Sequence, residues 1–213
     1  MRSTHAFGAA VAVALAVALP AHAQVFGQFG NAVPLAVDHR LFGASIATSS
    51  NQLELLGQLR LSFYPGVDFG FQGGFDRVDA GGSSVTAVQL GGDLKTTVAR
   101  ANASFPLDIA LGGAIGVRSA DGFNQLAVGP EALCSRTYTL RGGHDLTPYG
   151  GFVMLFTRDD SGGHSETDFS LPVRLGAEYS PSPDFRVFTE IRLSGGSAFD
   201  DSFKLALGAN FPF

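Results

Sequence analysis

The chain ends in Phe203-Lys204-Leu205-Ala206-Leu207-Gly208-Ala209-Asn210-Phe211-Pro212-Phe213. Every odd position in this stretch is apolar, and every even position is small or polar. A strict period of two is typical of a β-strand with one apolar face, because successive side chains point to opposite sides of a strand. The end of the chain therefore predicts a strand about ten residues long.

The same alternation recurs along most of the chain. Residues 53–63 and 67–75 form two alternating runs that Tyr64-Pro65-Gly66 joins, which predicts a hairpin. An even strand number would place both ends of the chain on one side of a closed sheet. An eight-stranded alternative would lose the weakest runs, 126–140 with its internal Pro130 and 36–47. We predict ten strands at about 36–47, 52–64, 66–78, 85–99, 106–118, 126–140, 146–158, 167–180, 184–194 and 202–213.

The polar faces of the predicted strands carry charges in mid-strand, such as Arg60, Asp93, Arg174 and Glu190. The strands of a soluble two-sheet sandwich also alternate between apolar and polar residues. Its core would have to be built from the apolar faces, and its strands need not be long enough to cross a bilayer. The clean strands approach the 9–11 residues that cross a bilayer at a tilt. The fold class predicted is thus all-β, an antiparallel transmembrane β-barrel whose apolar face meets lipid and whose charged face lines a lumen.

The beginning of the chain has the features of a secretory leader. Arg2 precedes an unbroken apolar run at 9–19, and Ala21-His22-Ala23 matches a cleavage site. We expect a signal peptide at 1–23 and an outer-membrane barrel domain at 24–213. Cys134 is the only cysteine, which excludes an intramolecular disulfide, and the formal net charge of −5 with no basic tract argues against nucleic acid as a partner.

The connections between the predicted strands alternate in character. One set is turn-like, and the other, which includes 79–84, 119–125, 159–166 and 194–201, is longer and rich in Gly, Ser and Asp. Because short turns face the periplasm in barrels of this kind, we expect the longer set to form outer loops. An aromatic girdle is predicted at the periplasmic side, formed by Phe63, Tyr64, Phe105, Tyr149, Tyr179, Phe185, Phe211 and Phe213.

These features resemble the bacterial small outer-membrane β-barrel superfamily, whose members share a leader, eight to ten antiparallel strands and a terminal aromatic residue. The start of a strand at Thr147-Pro148-Tyr149-Gly150-Gly151 and the ending from Leu205 to Phe213 are similar to that family. The resemblance implies outer-membrane lipid and the barrel assembly machinery as partners. It also implies that the assembly signal is carried by Phe213, Phe211, Leu207 and Leu205.

The predicted lumen charges are of both signs, whereas a selective pore favours one sign. A barrel of this size is only slightly wider than one filled by its own side chains. We therefore expect a plugged lumen and a structural or surface-interaction role; the alternatives are a narrow porin-like channel and, less favoured, an outer-membrane enzyme. The predicted network comprises Glu54, Arg60, Asp68, Asp93, Lys95, Arg174, Glu178, Arg186, Glu190 and Arg192.

The acidic loop at 159–166, which contains His164, and the pair Asp200-Asp201 are expected at the outer rim. Solvated loops are the simplest interpretation, and contact with lipopolysaccharide through divalent cations is the alternative. No spacing of the remaining histidines matches a metal site, and no phosphate-binding or hydrolase motif is present. We expect no cofactor.

Overall fold

The computed structural model describes residues 30–80, 83–161, 163–194 and 203–213. Their regular structure is entirely β, and none of them forms a helix of the length and hydrophobicity needed to cross a bilayer. The strands are β1 (Arg40–Thr48), β2 (Gln52–Tyr64), β3 (Val67–Ala80), β4 (Ser83–Ala99), β5 (Asp108–Ala120), β6 (Phe123–Ser135), β7 (Tyr138–Thr139), β8 (Asp145–Val153), β9 (Leu155–Ser161), β10 (His164–Ser170), β11 (Val173–Ser182), β12 (Phe185–Leu193) and β13 (Phe203–Pro212).

The strands form a closed antiparallel barrel whose wall is ten strands wide. Neighbouring strands pair along the chain, and β13 pairs with β1 to close the wall. β8 and β9 together make one wall strand, as do β10 and β11, while the two-residue β7 pairs with the start of β8. The predicted fold class and the count of ten strands are confirmed, and the eight-stranded alternative is wrong.

Prolines explain why two wall strands are split. The ladder of β6 runs past Pro130, opposite the gap at Met154, and Pro172 stands in the gap between β10 and β11. Proline has no N–H to donate to a sheet ladder, so the regular pairing lapses there. One hydrogen bond remains at each gap. The Met154 N–H donates to the Pro130 carbonyl, and the Val153 N–H donates to the Pro172 carbonyl.

The distribution of apolar side chains is inverted relative to a soluble protein. Among the described residues, 38 large hydrophobic side chains are exposed, whereas 14 hydrophobic residues are buried and half of those are alanine. Soluble monomers rarely expose contiguous apolar patches larger than a few hundred Å². The outer surface therefore has the character of a face that meets hydrocarbon, as the alternation predicts.

Inward-facing glycines allow the narrow curvature of the wall. A Cβ at Gly74 would collide with the carbonyl oxygen of Leu55, and one at Gly129 with that of Met154. At both positions the neighbouring backbone lies where a side chain would begin, which is a recurrent role of glycine in a bent sheet. This accounts for part of the 28 glycines in the chain.

We call the end of the barrel that carries Arg40 and Phe213 the terminal rim, and the opposite end the distal rim. The connections 65–66, 100–107, 136–144 and 183–184 lie at the terminal rim. The turns 49–51 and 121–122 lie at the distal rim, together with the strand ends at Ala80, Ser83, Ser161 and His164. The expectation of longer loops at 79–84, 119–125 and 159–166 is wrong, because the strands on either side continue into these ranges as far as Ala80 and Ser83, Ala120 and Phe123, and Ser161 and His164. The predicted leader at 1–23 and the pair Asp200-Asp201 lie outside the described residues.

Most predicted strand bounds differ from the observed ones by one to three residues, and two strands differ more. The first begins at Arg40 rather than at 36, because the residues before it turn into the lumen. The sixth spans Phe123–Ser135 rather than 126–140, because the chain leaves the wall after Ser135 and Tyr138–Thr139 pairs separately with Asp145–Leu146.

Candidate functional site in the barrel lumen

The lumen is the only compartment of the described structure where many charged side chains are buried together. Of the ten residues predicted to form its charge network, nine are buried and Arg186 is half-buried. The structure also brings Asp76, Arg118, Glu131 and Lys204 into the same interior. Each of these charges lies within ion-pair distance of an opposite charge, so the lumen can be described as a set of ion pairs.

The lower cluster lies in the half nearer the terminal rim and is centred on Arg60. Its Nη2 is 2.5 Å from Asp68 Oδ1 and 2.7 Å from Asp93 Oδ1, and Nη1 donates to Asp93 Oδ2 at 3.1 Å. Lys95 Nζ lies 3.5 Å from the other oxygen of Asp68, and the Gln72 amide donates to Asp93. Two cations thus face two carboxylates, with a fork-like guanidinium between them.

The upper cluster lies nearer the distal rim and joins four strands, β2, β8, β12 and β13. Arg192 Nε donates to Glu190 Oε1 at 2.6 Å, and its Nη1 donates to Glu54 Oε1 at 3.1 Å. Lys204 Nζ is 3.6 Å from Glu54 Oε2, and the Tyr149 hydroxyl donates to Glu190 Oε2 at 3.0 Å. This cluster also contains two cations and two carboxylates.

Three further ion pairs lie in the lumen, and Asp108, buried on the inward side of β5, accepts a hydrogen bond from the Ala101 N–H. Arg174 lies 3.5 Å from Glu131, Arg186 lies 3.3 Å from Glu178, and Arg118 pairs with Asp76. Counting the two clusters and these pairs, seven cations face seven carboxylates. A lumen with compensated charge lacks the single-sign lining that attracts one class of ion.

Two aromatic side chains fill space in mid-barrel. Phe188 packs against Leu56, and a Cβ at its neighbour Gly208 would collide with the Phe188 ring. Tyr149 is arranged in the same way over Gly176, where a Cβ would lie 2.5 Å from the phenol ring. The prediction that Tyr149 belongs to an external aromatic girdle is wrong: it points inward because its hydroxyl has a partner in Glu190.

The N-terminal segment, defined here as residues 30–35, occupies the lumen at the terminal rim. Asn31 donates from its amide to Glu178 Oε1 at 3.0 Å, and its carbonyl accepts from Lys95 Nζ at 2.7 Å. The Ala32 N–H donates to Ser135 Oγ, and the Leu35 N–H donates to Asp68 Oδ2, each at 3.2 Å. The segment is therefore bonded to several strands of the wall.

Little free volume remains where the segment meets the lower cluster. Ala32 is fully buried against Ala110 and Leu133. The cavity left beside Gly30, Lys95 and Arg60 measures about 20 Å³, and a site of that size holds about one water molecule. A larger cavity of about 500 Å³ opens to the terminal rim beside Asn31, His144 and Arg186. The N-terminal segment thus separates this mouth from the lower cluster.

Sequence reasoning missed Glu131 and the N-terminal segment. Glu131 is 3 % exposed on β6, whose alternation is obscured by Pro130 and by outward-facing Cys134. The alternation Gln125, Ala127, Gly129, Glu131 was available in the sequence but is weak because two of its members are small. The segment has no alternation, and its apolar composition gave no indication that it enters a polar lumen.

The residues assigned to the assembly signal lie on the outer face of β13 or, in the case of Phe213, directly after it. Leu205, Leu207, Phe211 and Phe213 are exposed, and the Phe211 ring lies 5.3 Å from that of Phe185. Phe213 exchanges two backbone hydrogen bonds with Arg40, at 2.9 and 3.1 Å. The final residue therefore takes part in the seam that closes the barrel.

The acidic residues at 159–166 lie at the distal rim on β9 and β10. Asp160 pairs with Arg158 at 3.6 Å, and Asp159 accepts from the Gln125 amide at 2.8 Å. Within the described ranges, no group of three or more His, Cys, Asp or Glu side chains is arranged to hold a metal ion.

Comparison with solved structures found distant likenesses. An outer membrane channel from Pseudomonas putida F1 is 11 % identical with a TM-score of 0.49, covering 88 % of this chain and 100 % of that one. LpxR from Salmonella typhimurium is 13 % identical with a TM-score of 0.46, covering 84 % and 85 %. The KdgM porin in complex with disordered oligogalacturonate is 8 % identical with a TM-score of 0.42, covering 81 % and 99 %.

No protein-family model matches the chain, and the comparison with curated proteins likewise found no match. Identities of this size leave the activity of this chain to be argued from its own residues.

Proposed function

We propose that this chain is an outer-membrane β-barrel that is closed to solutes, with a structural or surface-interaction role. The observation that carries the proposal is the filled lumen, which is occupied by seven cations paired with seven carboxylates, by two aromatic rings and by the N-terminal segment. A conducting pore needs a continuous water-filled path, and a compensated lining gives passing ions no favourable sign of charge.

The location rests on two features. The outer surface is an apolar belt of strand side chains, which only a bilayer would cover along its whole circumference. The closed wall satisfies the backbone hydrogen bonds of membrane-facing strands internally, as hydrocarbon requires. The expected leader at 1–23 would deliver the chain across the inner membrane, and the barrel assembly machinery would then insert it, with Phe213 and Phe211 as its recognition residues.

The two other function classes have less support. A narrow porin-like channel would require the N-terminal segment and both clusters to leave the lumen together. An outer-membrane enzyme would require a reactive group in a cleft. The candidate His164 instead lies exposed at the end of a hairpin, among residues with no described catalytic partner. Contact of the distal rim with lipopolysaccharide remains part of the proposed surface role.

Planar-bilayer recording tests the proposal. Purified full-length protein, shown to be folded by its heat-modifiable mobility on a gel, should insert without stable unitary conductance. A conducting barrel recorded in parallel confirms that the bilayer detects insertion. Reproducible open channels of one size in the folded, full-length protein would overturn the closed-barrel proposal in favour of a pore.

A further inference from the structure

The two rims differ in how their exposed arginines are compensated. At the distal rim, Arg77 lies 3.6 Å from Asp79, and Arg158 lies 3.6 Å from Asp160. At the terminal rim, Arg40, Arg100, Arg136 and Arg141 are exposed. Among the residues that the structure describes, no carboxylate lies within ion-pair distance of any of these four. The terminal rim therefore presents guanidinium groups that no carboxylate of the described residues pairs.

Three of these arginines lie on one sector of the rim. Ala99, Ile109 and Cys134 are side by side across β4, β5 and β6. Arg100 and Arg136 follow Ala99 and Cys134 by one and two residues, so they are nearly level. Their strands are two strand spacings apart, or about 10 Å. Arg141 lies in the same connection as Arg136. We call the connections 100–107 and 136–144 the arginine sector.

The arginine sector also exposes apolar side chains that continue the lipid-facing belt. Phe105, Leu107, Tyr138 and Leu140 are between 36 and 47 % exposed. The Arg136 guanidinium lies over the Tyr138 ring, 5.1 Å from its centroid. Apolar and aromatic side chains beside arginines suit the depth at which a bilayer passes from hydrocarbon to headgroups.

The acidic groups of the terminal rim lie mostly elsewhere. Asp38 precedes β1 and Asp184 lies in the turn between β11 and β12. The carboxylates that directly follow the two connections already have partners: Asp108 is buried and accepts from the Ala101 N–H at 3.0 Å, and Asp145 accepts a hydrogen bond from Thr139 at 2.8 Å. The positive charge of the sector is therefore not cancelled by a neighbouring acid in the same connection.

We infer that the arginine sector binds the headgroups of anionic phospholipids in the leaflet next to the terminal rim. The phosphate of such a lipid accepts hydrogen bonds from the guanidinium groups, while its acyl chains lie against the belt below Phe105 and Tyr138. The inference rests on the proposed membrane location. It assigns a role to β7, which is not part of the barrel wall: the β7–β8 hairpin holds Arg136 and Arg141 at the membrane surface.

The test is native mass spectrometry of the full chain in neutral detergent, titrated with phosphatidylglycerol or with phosphatidylcholine. The R100Q/R136Q/R141Q variant removes the sector's charge, and R77Q/R158Q is the matched control at the distal rim. The wild type should retain phosphatidylglycerol in preference to phosphatidylcholine. The sector variant should bind phosphatidylglycerol about fivefold more weakly per arginine removed, the size typical of a basic side chain near an anionic surface.

The control variant should bind phosphatidylglycerol as the wild type does, and R100K/R136K/R141K should retain most of the affinity because its charge is unchanged. Equal retention of the two lipids by the wild type, or an equal loss in the sector and control variants, would overturn the inference. Gel mobility and conductance of each preparation report separately on the closed barrel. A folded barrel that shows no conductance and no preference for phosphatidylglycerol would therefore contradict the lipid-binding inference and leave the closed-barrel proposal intact.

Discussion

The side-chain amide of Asn31 lies 3.0 Å from Glu178 Oε1, although 147 residues separate the two in the chain. Glu178 also pairs with Arg186 and accepts from Asn210 at 3.2 Å, so its carboxylate joins the N-terminal segment to β12 and β13. Lys95 holds the same asparagine from the opposite wall through its carbonyl. The segment is thus bonded across the width of the barrel, which makes it part of the closed lumen.

Removal of residues 24–35, with the leader retained, should open the terminal half of the lumen to water. Ser135 is 2 % exposed beneath the segment and bonds to Ala32, so a cysteine there should be protected in the full-length chain. In a Cys134→Ser background, Ser135→Cys should react many times faster with a charged, water-soluble thiol reagent after the deletion. The measurement is the rate of labelling in folded protein.

Ser45→Cys provides the control, since Ser45 faces the lumen on β1 opposite Leu56 and Gly208 and does not contact the segment. Its labelling rate should change little on deletion. An increase of the same size at both positions would mean that the barrel had loosened generally. An unchanged rate at Ser135→Cys would mean that the segment does not cover this site.

Arg60→Met should strongly destabilise the barrel, because it leaves Asp68 and Asp93 buried with only Lys95 to compensate them. Loss of one partner from a buried ion pair typically costs about 3–5 kcal/mol. Urea unfolding from lipid vesicles, followed by circular dichroism, measures the change in the free energy of unfolding.

The double variant Arg60→Met/Asp93→Asn should recover part of this loss, since it removes the uncompensated carboxylate as well. Additive destabilisation by the two substitutions would contradict the ion-pair arrangement of the lower cluster, because residues that interact should show coupling in such a cycle.

Sequence alone predicted the wall of the barrel because alternation is a strong, local pattern. Around residues such as Leu59 and Leu175, apolar side chains recur at every second position over ten or more residues. A strand with one face toward a bilayer requires that pattern. The same repeat assigned charged residues such as Glu54 and Arg192 to the inward side, where the structure has them buried. The structure adds which charges meet, because pairing such as that of Glu54 with Arg192, 138 residues apart, depends on barrel closure.

The parts that sequence did not predict are those without a repeat. The N-terminal segment is held by individual bonds to Asp68, Lys95 and Ser135 rather than by a periodic face. The distal hairpins were expected to be loops because their Gly, Ser and Asp residues favour turns. They continue as strands because pairing with a neighbouring strand outweighs local preference.

Depth in the membrane should determine the cost of a charge on the outer face. Leu59 lies near the middle of β2, and Phe63 lies near its terminal-rim end, both on the outward side. Leu59→Arg should cost about 2–4 kcal/mol, whereas Phe63→Arg should cost about 0–1 kcal/mol from the charge, since the penalty falls toward the interface. Reversible unfolding from vesicles measures both. Equal costs would contradict the assigned position of the apolar belt.

Two glycines on the strands at either side of β1 provide a test of lumen packing. A Cβ at Gly208 would collide with the Phe188 ring and lie 2.5 Å from the carbonyl oxygen of Ala44, whereas one at outward-facing Gly57 would meet nothing nearer than 3.9 Å. Gly208→Ala should destabilise the barrel by about 1–3 kcal/mol, the usual cost of overpacking. Gly57→Ala should change the free energy of unfolding by less than about 0.5 kcal/mol. Similar values for the two would indicate that Phe188 does not pack over Gly208.

Deletion of Phe211, Pro212 and Phe213 should prevent the barrel from closing. The deletion removes the register pairs of Leu41 with Pro212 and of Phe42 with Phe211, and the two hydrogen bonds between Arg40 and Phe213. An open seam exposes backbone N–H and C=O groups to hydrocarbon, where each unsatisfied group costs several kcal/mol. The truncated chain should still be exported, because residues 1–23 are unchanged, and should accumulate in the periplasm and be degraded there.

The full-length variant Phe211→Ala/Phe213→Ala separates the seam from the terminal aromatic residues. It keeps the backbone pairs with β1 and removes only the side chains that the family resemblance assigns to the assembly signal. If the aromatic residues act as that signal, this variant should also reach the outer membrane in reduced amounts. If the seam alone matters, it should assemble normally. Cell fractionation with external protease treatment measures how much of each variant reaches the outer membrane. If the truncated chain is as abundant there as the wild type and resists protease, the role assigned to the final strand is contradicted.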